Sequence, residues 1–407
     1  MKLKPSSNQK GAGAIPVGWD APRVASVCRL INGRGFKPSE WRRAGLPIIR
    51  IQNLNGSNDF NHFDGAYHPK LEVVAGQLLF AWSGSRGTSF GPHIWRGPMG
   101  LLNYHTWKVD VPEGGVAKSF LFHALRGLTT YIEGKAHGAA ALVHVQKGEM
   151  EGFRVPVPNS TVEQGAIATA LSDADALIES LEQLLAKKRY LKQGAMQELL
   201  TGKKRLPGFA AHWKSEFVKR IVQVPVTDGP HLTPSFVDDG VPFLSVNNLV
   251  DGRIDFSDLR YISAVDHETF SRKCRPRRGD ILLGKAASVG KVAIVEVDFE
   301  LNIWSPIALI RVSDRHVPRF VYYQLQSRTL EKQIQLLTNS SSQGNIGMAD
   351  IERLVLPLPP RDEQDAIALV LTEMDSEIAA VEAKRTKARH IKQGMMQELL
   401  TGRIRLV

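Results

Sequence analysis

The segment Lys-Gln-Gly-Ala-Met-Gln-Glu-Leu-Leu-Thr-Gly, at residues 192–202, recurs as Lys-Gln-Gly-Met-Met-Gln-Glu-Leu-Leu-Thr-Gly at residues 392–402. A match of this length does not arise by chance, and it marks an internal duplication. The similarity continues backward without a gap through Asp175 and Asp375 to Glu163-Gln164 and Glu363-Gln364. The chain is therefore predicted to consist of two copies of one unit.

The segment that precedes each repeat has the pattern of a long helix. Prolines at 156 and 158, and at 357, 359 and 360, come just before each helical pattern, where proline ends a strand. Apolar residues then follow at spacings of three and four, which predicts an amphipathic helix. They are Ile167, Leu171, Ala174, Ile178, Leu181 and Leu185 in the first copy, and Ile367, Leu371, Met374, Ile378 and Val381 in the second. Gly202 and Gly402 are predicted to end the helices.

The narrow stripe with charged flanks favours two long helices that pack on each other as a coiled coil. A two-fold relation between the copies would make these helices antiparallel. The alternative is that each amphipathic helix packs only on its own globular domain.

The globular parts repeat more faintly. Residues 45–54 resemble residues 240–249, and in both an apolar strand leads into an Asn-containing turn. Residues 76–79 match 279–282, Leu102-Asn103 matches Leu301-Asn302, and the helical pattern at 120–125 matches 320–325.

The predicted fold class is α+β, with two mixed α/β domains separated by two long antiparallel helices in a pseudo-two-fold repeat. The predicted segments are a polar tail at 1–15, a first domain at 16–158, a central helix at 159–205, a second domain at 206–358 and a C-terminal helix at 359–407.

The formal charge of the chain is +11, which points toward a polyanionic partner. Residues 1–160 carry 19 Lys and Arg against 10 Asp and Glu, whereas residues 207–357 carry 18 against 17. Cys28 and Cys274 are too few for a disulfide framework or a zinc site, and are predicted to be buried thiols in a reducing cytoplasm. No apolar run reaches the length of about 20 residues that a membrane helix needs, so no membrane partner is expected.

These residues resemble the specificity (S) subunits of type I restriction-modification enzymes. The paired helices from Glu-Gln to Met-Gln-Glu-Leu-Leu-Thr-Gly look like the spacer regions of that family. Residues 16–19 (Pro-Val-Gly-Trp) and 206–213 (Leu-Pro-Gly-Phe to Trp) look like the starts of its two target-recognition domains. The chain departs from the pattern at 138–144, where Gly-Ala-Ala-Ala-Leu-Val-His replaces the Ser- and Asn-containing segment found at 340–346.

The resemblance implies a non-catalytic subunit of a methyltransferase and endonuclease complex. Each target-recognition domain would bind one half of a bipartite site on double-stranded DNA, and the helices would set the gap between the halves. The helices would also dock two methyltransferase (M) subunits, and restriction (R) subunits would join the full complex. S-adenosylmethionine, ATP and Mg²⁺ would be bound by those partners and no cofactor by this chain. The expected docking residues are Gln193, Met196, Leu199, Leu200, Gln393, Met396, Leu399 and Leu400.

Candidate DNA contacts follow from the chemistry of the grooves. Arg reads guanine and Asn or Gln reads adenine, while Lys, Ser and Thr mostly bind phosphates. In the first domain the candidates are Arg50, Gln52, Asn53, Asn55, Ser85, Arg86, Thr88 and His93. In the second they are Ser245, Asn247, Asn248, Lys285, Ser288, Lys291, Ser341, Ser342, Gln343 and Asn345. The alternative for each is turn formation, since Asn, Ser and Gly stabilise turns without a ligand.

The sequence offers little catalytic chemistry, and no catalytic or metal-binding residue is predicted. The segment 284–292 mimics a phosphate-binding loop, but its glycines are too far apart and Val292 replaces the required Ser or Thr. It is predicted to be a turn between strands. Asp110, Glu133 and Lys135 loosely match a metal-dependent nuclease, which leaves a two-lobed nuclease as one rival. The other rival is a structural coiled-coil adaptor that binds no DNA.

Overall fold

The computed structural model describes residues 15–135, 142–338 and 344–406. The chain forms two compact units, one made of residues 1–182 and 383–407 (unit 1) and the other of residues 183–382 (unit 2). Each of the two long helices therefore contributes one part to each unit. In the described ranges, no helix is both long enough and apolar enough to cross a membrane.

The described residues of unit 1 form twelve short strands and a few helices. Its strands are β1 (Trp19–Asp20), β2 (Arg29–Asn32), β3 (Leu46–Ile49), β4 (His62–Phe63), β5 (Glu72–Val73), β6 (Leu78–Ala81), β7 (Ser83–Ser85), β8 (Gly91–Ile94), β9 (Gly100–Leu102), β10 (Thr106–Asp110), β11 (Leu142–His144) and β12 (Val157–Pro158). Its helices are α1 (Val24–Val27), α2 (Ile51–Leu54), α3 (Lys118–Lys135), α4 (Lys147–Gly152) and the first part of α5 (Thr161–Leu199), with 3-10 turns at Pro38–Glu40 and Pro69–Leu71.

The core of unit 1 lies between a sheet and helix α3. The strands β2-β10-β6-β8 form an antiparallel sheet, and β4-β3-β9-β5 form a mixed sheet in which β3 and β9 are parallel. All four residues of β6 are buried, as expected for a strand covered on both faces. Phe80 of β6 and Phe120 of α3 are completely buried, and Phe80 stacks on Trp107 at a ring distance of 5.9 Å.

Unit 2 repeats this plan. Its strands are β13 (Lys214–Phe217), β14 (Thr227–Asp228), β15 (Phe236–Val237), β16 (Val241–Leu244), β17 (Leu249–Val250), β18 (Arg253–Ile254), β19 (Arg260–Ile262), β20 (Ile281–Gly284), β21 (Val292–Ile294), β22 (Asn302–Ile303), β23 (Ile307–Ile310) and β24 (Val355–Leu358). Its helices are α6 (Val218–Ile221), α7 (Ala264–Ser271), α8 (Pro318–Leu325), α9 (Arg328–Leu337), α10 (Met348–Glu352) and the first part of α11 (Arg361–Leu399), with a 3-10 turn at Val246–Asn248.

In the described residues of unit 2, β14-β23-β20-β21 and β15-β19-β16-β22 form four-stranded sheets, and β13-β24 and β17-β18 form two-stranded ones. The strand β16 runs parallel to β22, as β3 does to β9. This register corrects one sequence match. Ile49 pairs with Leu102 and Leu244 with Ile303, so Leu102 corresponds to Ile303 and not to Leu301. The predicted match aligned the two Leu-Asn pairs by residue type, whereas the pairing of the strands places them one residue apart.

The long helices pack antiparallel within each unit, as predicted. In unit 1, Glu182 pairs with Arg389 at 2.5 Å, Asp175 pairs with Lys392, and Glu163 pairs with Arg405. In unit 2, the ion pairs are Arg189 with Glu382 (2.6 Å), Lys192 with Asp375 (2.6 Å) and Arg205 with Glu363 (2.5 Å). As the residue number rises along one long helix, the number of its ion-pair partner on the other helix falls, as expected for antiparallel helices. The repeated Asp and Lys of the sequence motif therefore hold the helices in register.

The glutamine of the repeated Glu-Gln pair attaches the start of each long helix to its own domain. Gln164 accepts a hydrogen bond from the backbone amide of Ala117 at 2.7 Å and donates to the carbonyl of Pro158. Gln364 makes the equivalent bonds to Val317, at 3.0 Å, and to Pro359. The helices end as predicted, since Gly202 and Gly402 have φ angles of 69° and 68°, in the left-handed region that favours glycine.

Candidate nucleic-acid interface

In unit 1, two loop segments that are distant in sequence lie side by side. Strand β7 pairs with β11, so that Ser85 lies opposite Leu142 and Ser83 opposite His144. The turn after β7 is held by local bonds. The amide of Ser85 donates to Oγ of Ser89 at 2.7 Å, and the amide of Gly87 donates to Glu133 at 2.8 Å. The turn therefore has a defined shape and presents exposed side chains, namely the predicted contacts Ser85, Arg86 and Thr88.

Unit 2 has the same arrangement. The predicted turn between strands is confirmed, because β20 ends at Gly284 and β21 begins at Val292. Ala286 forms a bridge with Asn345, and the amide of Ile346 donates to the carbonyl of Lys285 at 2.9 Å. Four predicted contacts thus come together, namely Lys285, Ser288, Lys291 and Asn345. The predicted contacts Ser341, Ser342 and Gln343 lie outside the described residues, as do residues 138–141 of the matching segment in unit 1.

The two lysines of this turn have different surroundings. Lys291 is exposed. Lys285 keeps only 11% of its side chain exposed, and its ammonium lies 3.1 Å from the fully buried carboxylate of Asp228. Lys273 reaches the same carboxylate at 2.5 Å. Burial alone would raise the pKa of Asp228, but the ammonium groups of Lys273 and Lys285 outweigh it and hold that pKa below its usual range.

Two predicted base contacts, Asn53 and Asn248, are instead turn-forming residues. The Oδ1 of Asn53 accepts from the amide of Arg50 at 3.0 Å, and its Nδ2 donates to the carbonyls of Ser57 and Asp59. Asn248 makes the same set with Ser245, Asp255 and Asp258. Both side chains are buried and their amides are engaged by the backbone. The expectation that they read bases is therefore corrected: an Asn at this position closes the turn.

The other candidates in these turns keep more of their polar surface. Gln52, Asn55 and Asn247 are exposed. The guanidinium of Arg50 lies over the ring of Trp41, at 5.2 Å, and donates to Oδ1 of Asn61 at 2.8 Å. Ser245 is half-buried and donates to Asn248 at 3.0 Å.

His93 lies on β8 behind the turn of unit 1. Its Nε2 is 2.9 Å from the carbonyl oxygen of Ser89. Burial lowers the pKa of His93, so the ring is neutral at physiological pH. The prediction that His93 contacts DNA thus concerns a neutral ring already bonded to the backbone.

The repeated motif at the end of each long helix lines a groove in each unit. In unit 1 this groove is walled by α3, and in unit 2 by the hairpin of β17 and β18. Gln193 and Gln393 are exposed and Met196 and Met396 are half-buried in these grooves. Of the four leucines predicted to dock partners, Leu400 lines the groove of unit 1, whereas Leu199, Leu200 and Leu399 do not line these grooves, which corrects the expectation for those three. Leu199, Leu200, Leu399 and Leu400 are buried in the cores of their own units.

The nuclease rival finds no support in the geometry. Asp110, on β10, pairs with Arg29 at 2.8 Å, and Glu133, on α3, accepts the amide of Gly87. In the part of the chain that the structure describes, no three His, Cys, Asp or Glu residues are grouped as a metal site would need.

Sequence reasoning missed several residues of these sites. Arg205 and Arg405 could have been found by extending the repeat three residues past Gly202 and Gly402. Asp228 gives no such signal, because a Thr-Asp-Gly-Pro segment is typical of an ordinary turn.

Comparison with known proteins identifies the family. A model of the type I restriction modification DNA specificity domain matches residues 16–187 and 235–389. The specificity subunit of the type I restriction enzyme EcoBI from Escherichia coli is 24% identical and is aligned over 98% of this chain and 88% of its own length. The MjaVIII specificity subunit from Methanocaldococcus jannaschii is 23% identical, over 96% and 94% of the two chains.

Solved structures share the fold. The crystal structure of the type I restriction-modification S subunit from M. genitalium matches with a TM-score of 0.62 at 15% identity, over 98% of this chain and 99% of that one. A chain from a structure of type I complex assembly and conformational transition matches with a TM-score of 0.55 at 16% identity, over 96% and 99%. The chain therefore belongs to the type I restriction-modification DNA specificity family, as a non-catalytic specificity subunit.

Proposed function

We propose that each unit reads one half of a bipartite site on double-stranded DNA. The observation that carries this proposal is the equivalent pairing of two loops in both units, β7 with β11 and Ala286 with Asn345. The frame is the same in the two units, but the exposed residues on it differ. Two different half-sites, read by the same construction, are the expected result.

The exposed side chains divide by chemistry. Gln52, Asn55, Asn247 and Asn345 carry the planar amides that suit base edges, and adenine above all. Lys291, Ser85 and Thr88 suit phosphates, which fix the protein on the duplex without reading sequence. The charge excess of residues 1–160 gives unit 1 the larger share of the long-range attraction to DNA.

Two M subunits are the proposed partners of the grooves at the ends of the repeated motif. The same residues, a Gln, a Met, a second Gln and a Thr, line both grooves. Because these four shared residues line both grooves, one kind of partner fits both. The other residues that line the two grooves differ. R subunits would join through the M subunits. S-adenosylmethionine, ATP and Mg²⁺ belong to these partners in this proposal, and the assembly would act in the cytoplasm.

The test is to co-express the full chain with its M subunit and to map methylated bases across a genome. A split motif with a fixed gap supports the proposal, and scattered methylation or none refutes it. Exchange of residues 20–150 for those of another family member provides the matched control. It should change one half-motif and leave the other half-motif and the gap as they were.

A further inference from the structure

One residue of unit 2 connects three segments that surround the candidate DNA-binding turn. The backbone amide of Lys285 donates to the carbonyl of Pro306 at 2.8 Å, and its carbonyl accepts the amide of Ile346 at 2.9 Å. Its side chain reaches Asp228 on β14. Lys285 thus ties the start of the turn to β14, to the segment before β23 and to the segment that contains Asn345.

The carboxylate of Asp228 is the centre of this junction. It is fully buried, and Lys273 and Lys285 lie at 2.5 and 3.1 Å from its two oxygens. The imidazole of His231, which is 70% exposed, lies at 3.4 Å. One buried anion therefore faces two ammonium groups, and a buried charge of this kind persists only where its partners are fixed.

The turn that follows has a shape that needs support. Ala287 has a φ of 61°, in the left-handed region that residues other than glycine rarely adopt. The amide of Ser288 donates to Ala286 at 2.7 Å, and the amide of Gly290 donates to Gly284 at 2.9 Å. A strained backbone is retained where its surroundings over-determine it, and such positions cluster at functional sites.

Unit 1 makes the same junction with different chemistry. Trp82 takes the place of Lys285: its amide bonds to the carbonyl of His105, and its carbonyl accepts the amide of Val145. Its indole donates to the carbonyl of Tyr104 at 2.8 Å and stacks on Trp107. The backbone frame is shared, so the side chain that anchors the turn is what distinguishes the units.

We propose that Asp228 is a positioning residue for DNA recognition by unit 2. Through Lys285 it holds the turn 285–291 beside Asn345, and Trp82 holds the corresponding turn of unit 1. This inference rests on the proposed function, because it assumes that these turns contact DNA. Without Asp228, the turn loses its anchor, and two lysines lose their counter-charge.

The test uses the full chain purified with its M subunit. A pool of duplexes with a randomised interior reports the sequence information in each half-motif, and a poly(dI-dC) duplex reports non-specific affinity. Asp228→Asn should erase one half-motif and leave the other unchanged, and Trp82→Leu should do the reverse. Asp228→Asn should also strengthen binding to poly(dI-dC), with the slope of log K against log salt steeper by about 0.9 for each lysine that reaches a phosphate.

A loss of one half-motif together with stronger binding to poly(dI-dC) distinguishes a positioning role from simple destabilisation, because destabilisation would weaken both specific and non-specific binding. Asp280→Asn is the matched control, because Asp280 is also buried and pairs with Arg311 at 2.6 Å at the other end of β20. It should lower the melting temperature and preserve both half-motifs. The double variant Asp228→Asn with Lys285→Gln restores the net charge, and its affinity for poly(dI-dC) should return toward the wild-type value.

The inference is overturned if Asp228→Asn keeps both half-motifs, or if it weakens poly(dI-dC) binding along with the lost half-motif. A wild-type chain that selects no split motif from the pool refutes the proposed function itself. The two failures are therefore distinguishable.

Discussion

The repeated segment at the end of each long helix carries both core and surface residues, and substitutions in it can tell these roles apart. Leu200 is completely buried, and its carbonyl accepts a hydrogen bond from Gln324 at 2.8 Å. Gln193, two turns earlier in the same repeat, is exposed in the groove of unit 2. We expect Leu200→Ala to destabilise unit 2, and Gln193→Ala to weaken attachment of the M subunit.

The magnitude follows from burial. Replacing a fully buried leucine by alanine removes three carbon atoms and leaves a cavity, which costs about 2–5 kcal/mol. For a unit of about 200 residues, each kcal/mol lowers the melting temperature by about 2–4 °C, so a loss of about 3 kcal/mol corresponds to about 6–12 °C. Gln193→Ala changes an exposed side chain and should shift stability by no more than about 0.5 kcal/mol.

Calorimetry of the full chain and titration with the purified M subunit at 25 °C measure the two effects. Leu200→Ala should melt earlier and, while folded, bind the M subunit within a few-fold of the wild-type chain. Gln193→Ala should melt as the wild-type chain does and bind the M subunit more weakly. If Leu200→Ala melts normally and loses the M subunit, then the leucine is a docking residue and the reasoning from burial is wrong.

Three further predictions concern a buried histidine, the two cysteines and the length of the long helices. Burial lowers the pKa of His123 to about 4, below its unfolded value, so the free energy of unfolding of unit 1 should fall by up to about 3 kcal/mol as the pH falls from about 6.5 to 4. A His123→Gln variant whose melting temperature has the same pH dependence as that of the wild-type chain would contradict this. Burial raises the pKa of both Cys28 and Cys274 to about 12, so at pH 8 about one thiol in ten thousand is ionised. Iodoacetamide should therefore label these cysteines only after unfolding, and rapid labelling of the native chain, detected by mass spectrometry, would contradict this. Insertion of seven helical residues after both Glu182 and Glu382 adds about 10.5 Å to each helix. The gap between the two methylated half-motifs should then lengthen by about 3 bp while both half-motifs stay unchanged, and an altered half-motif would refute a spacer role for the helices.

The features predicted correctly from the sequence are those that occur in both copies of the duplicated unit. The two long helices, their register and their glycine ends each appear in both copies. Asp175 and Lys392 recur as Asp375 and Lys192, and the structure shows why, since each Asp pairs with the Lys of the other helix. A repeated ion pair leaves a repeated signal in the sequence.

The predictions that failed concern residues whose role depends on which face is buried. Leu199 and Leu200 continue the apolar stripe of the helix to its end. At that point a shift of one residue along the chain decides whether a side chain faces the groove or the core. Asn53 and Asn248 have the side chain that suits adenine, but the same amide also closes a turn, and burial decides between the two uses. Neither local pattern nor composition reports burial of this kind.

Asp228 illustrates a different limit. Its partners Lys273 and Lys285 are 45 and 57 positions away. Lys285 follows β20, in the same sheet as β14, and Lys273 lies in the segment between α7 and β20. A pairing of this sort requires the tertiary fold. The location of the candidate site, in the turns between β7 and β8 and between β20 and β21, is therefore predictable from the sequence, but the contacts that hold these turns are not.

We expect the two units to contribute unequally to DNA affinity, because their net charges differ. The region of unit 2 from 207 to 357 has nearly as many carboxylates as cations, and several cations there are paired internally, among them Lys273, Lys285 and Arg311. Paired cations contribute little to long-range attraction, because the nearby carboxylate cancels their field. Unit 1, with its excess of nine positive charges over residues 1–160, should therefore supply most of the salt-dependent binding. Under the proposed function, unit 2 would rely more on short-range contacts to discriminate between sequences. The position of its turn, which we propose is fixed by the pair of Asp228 and Lys285, would then matter more than the position of the turn in unit 1.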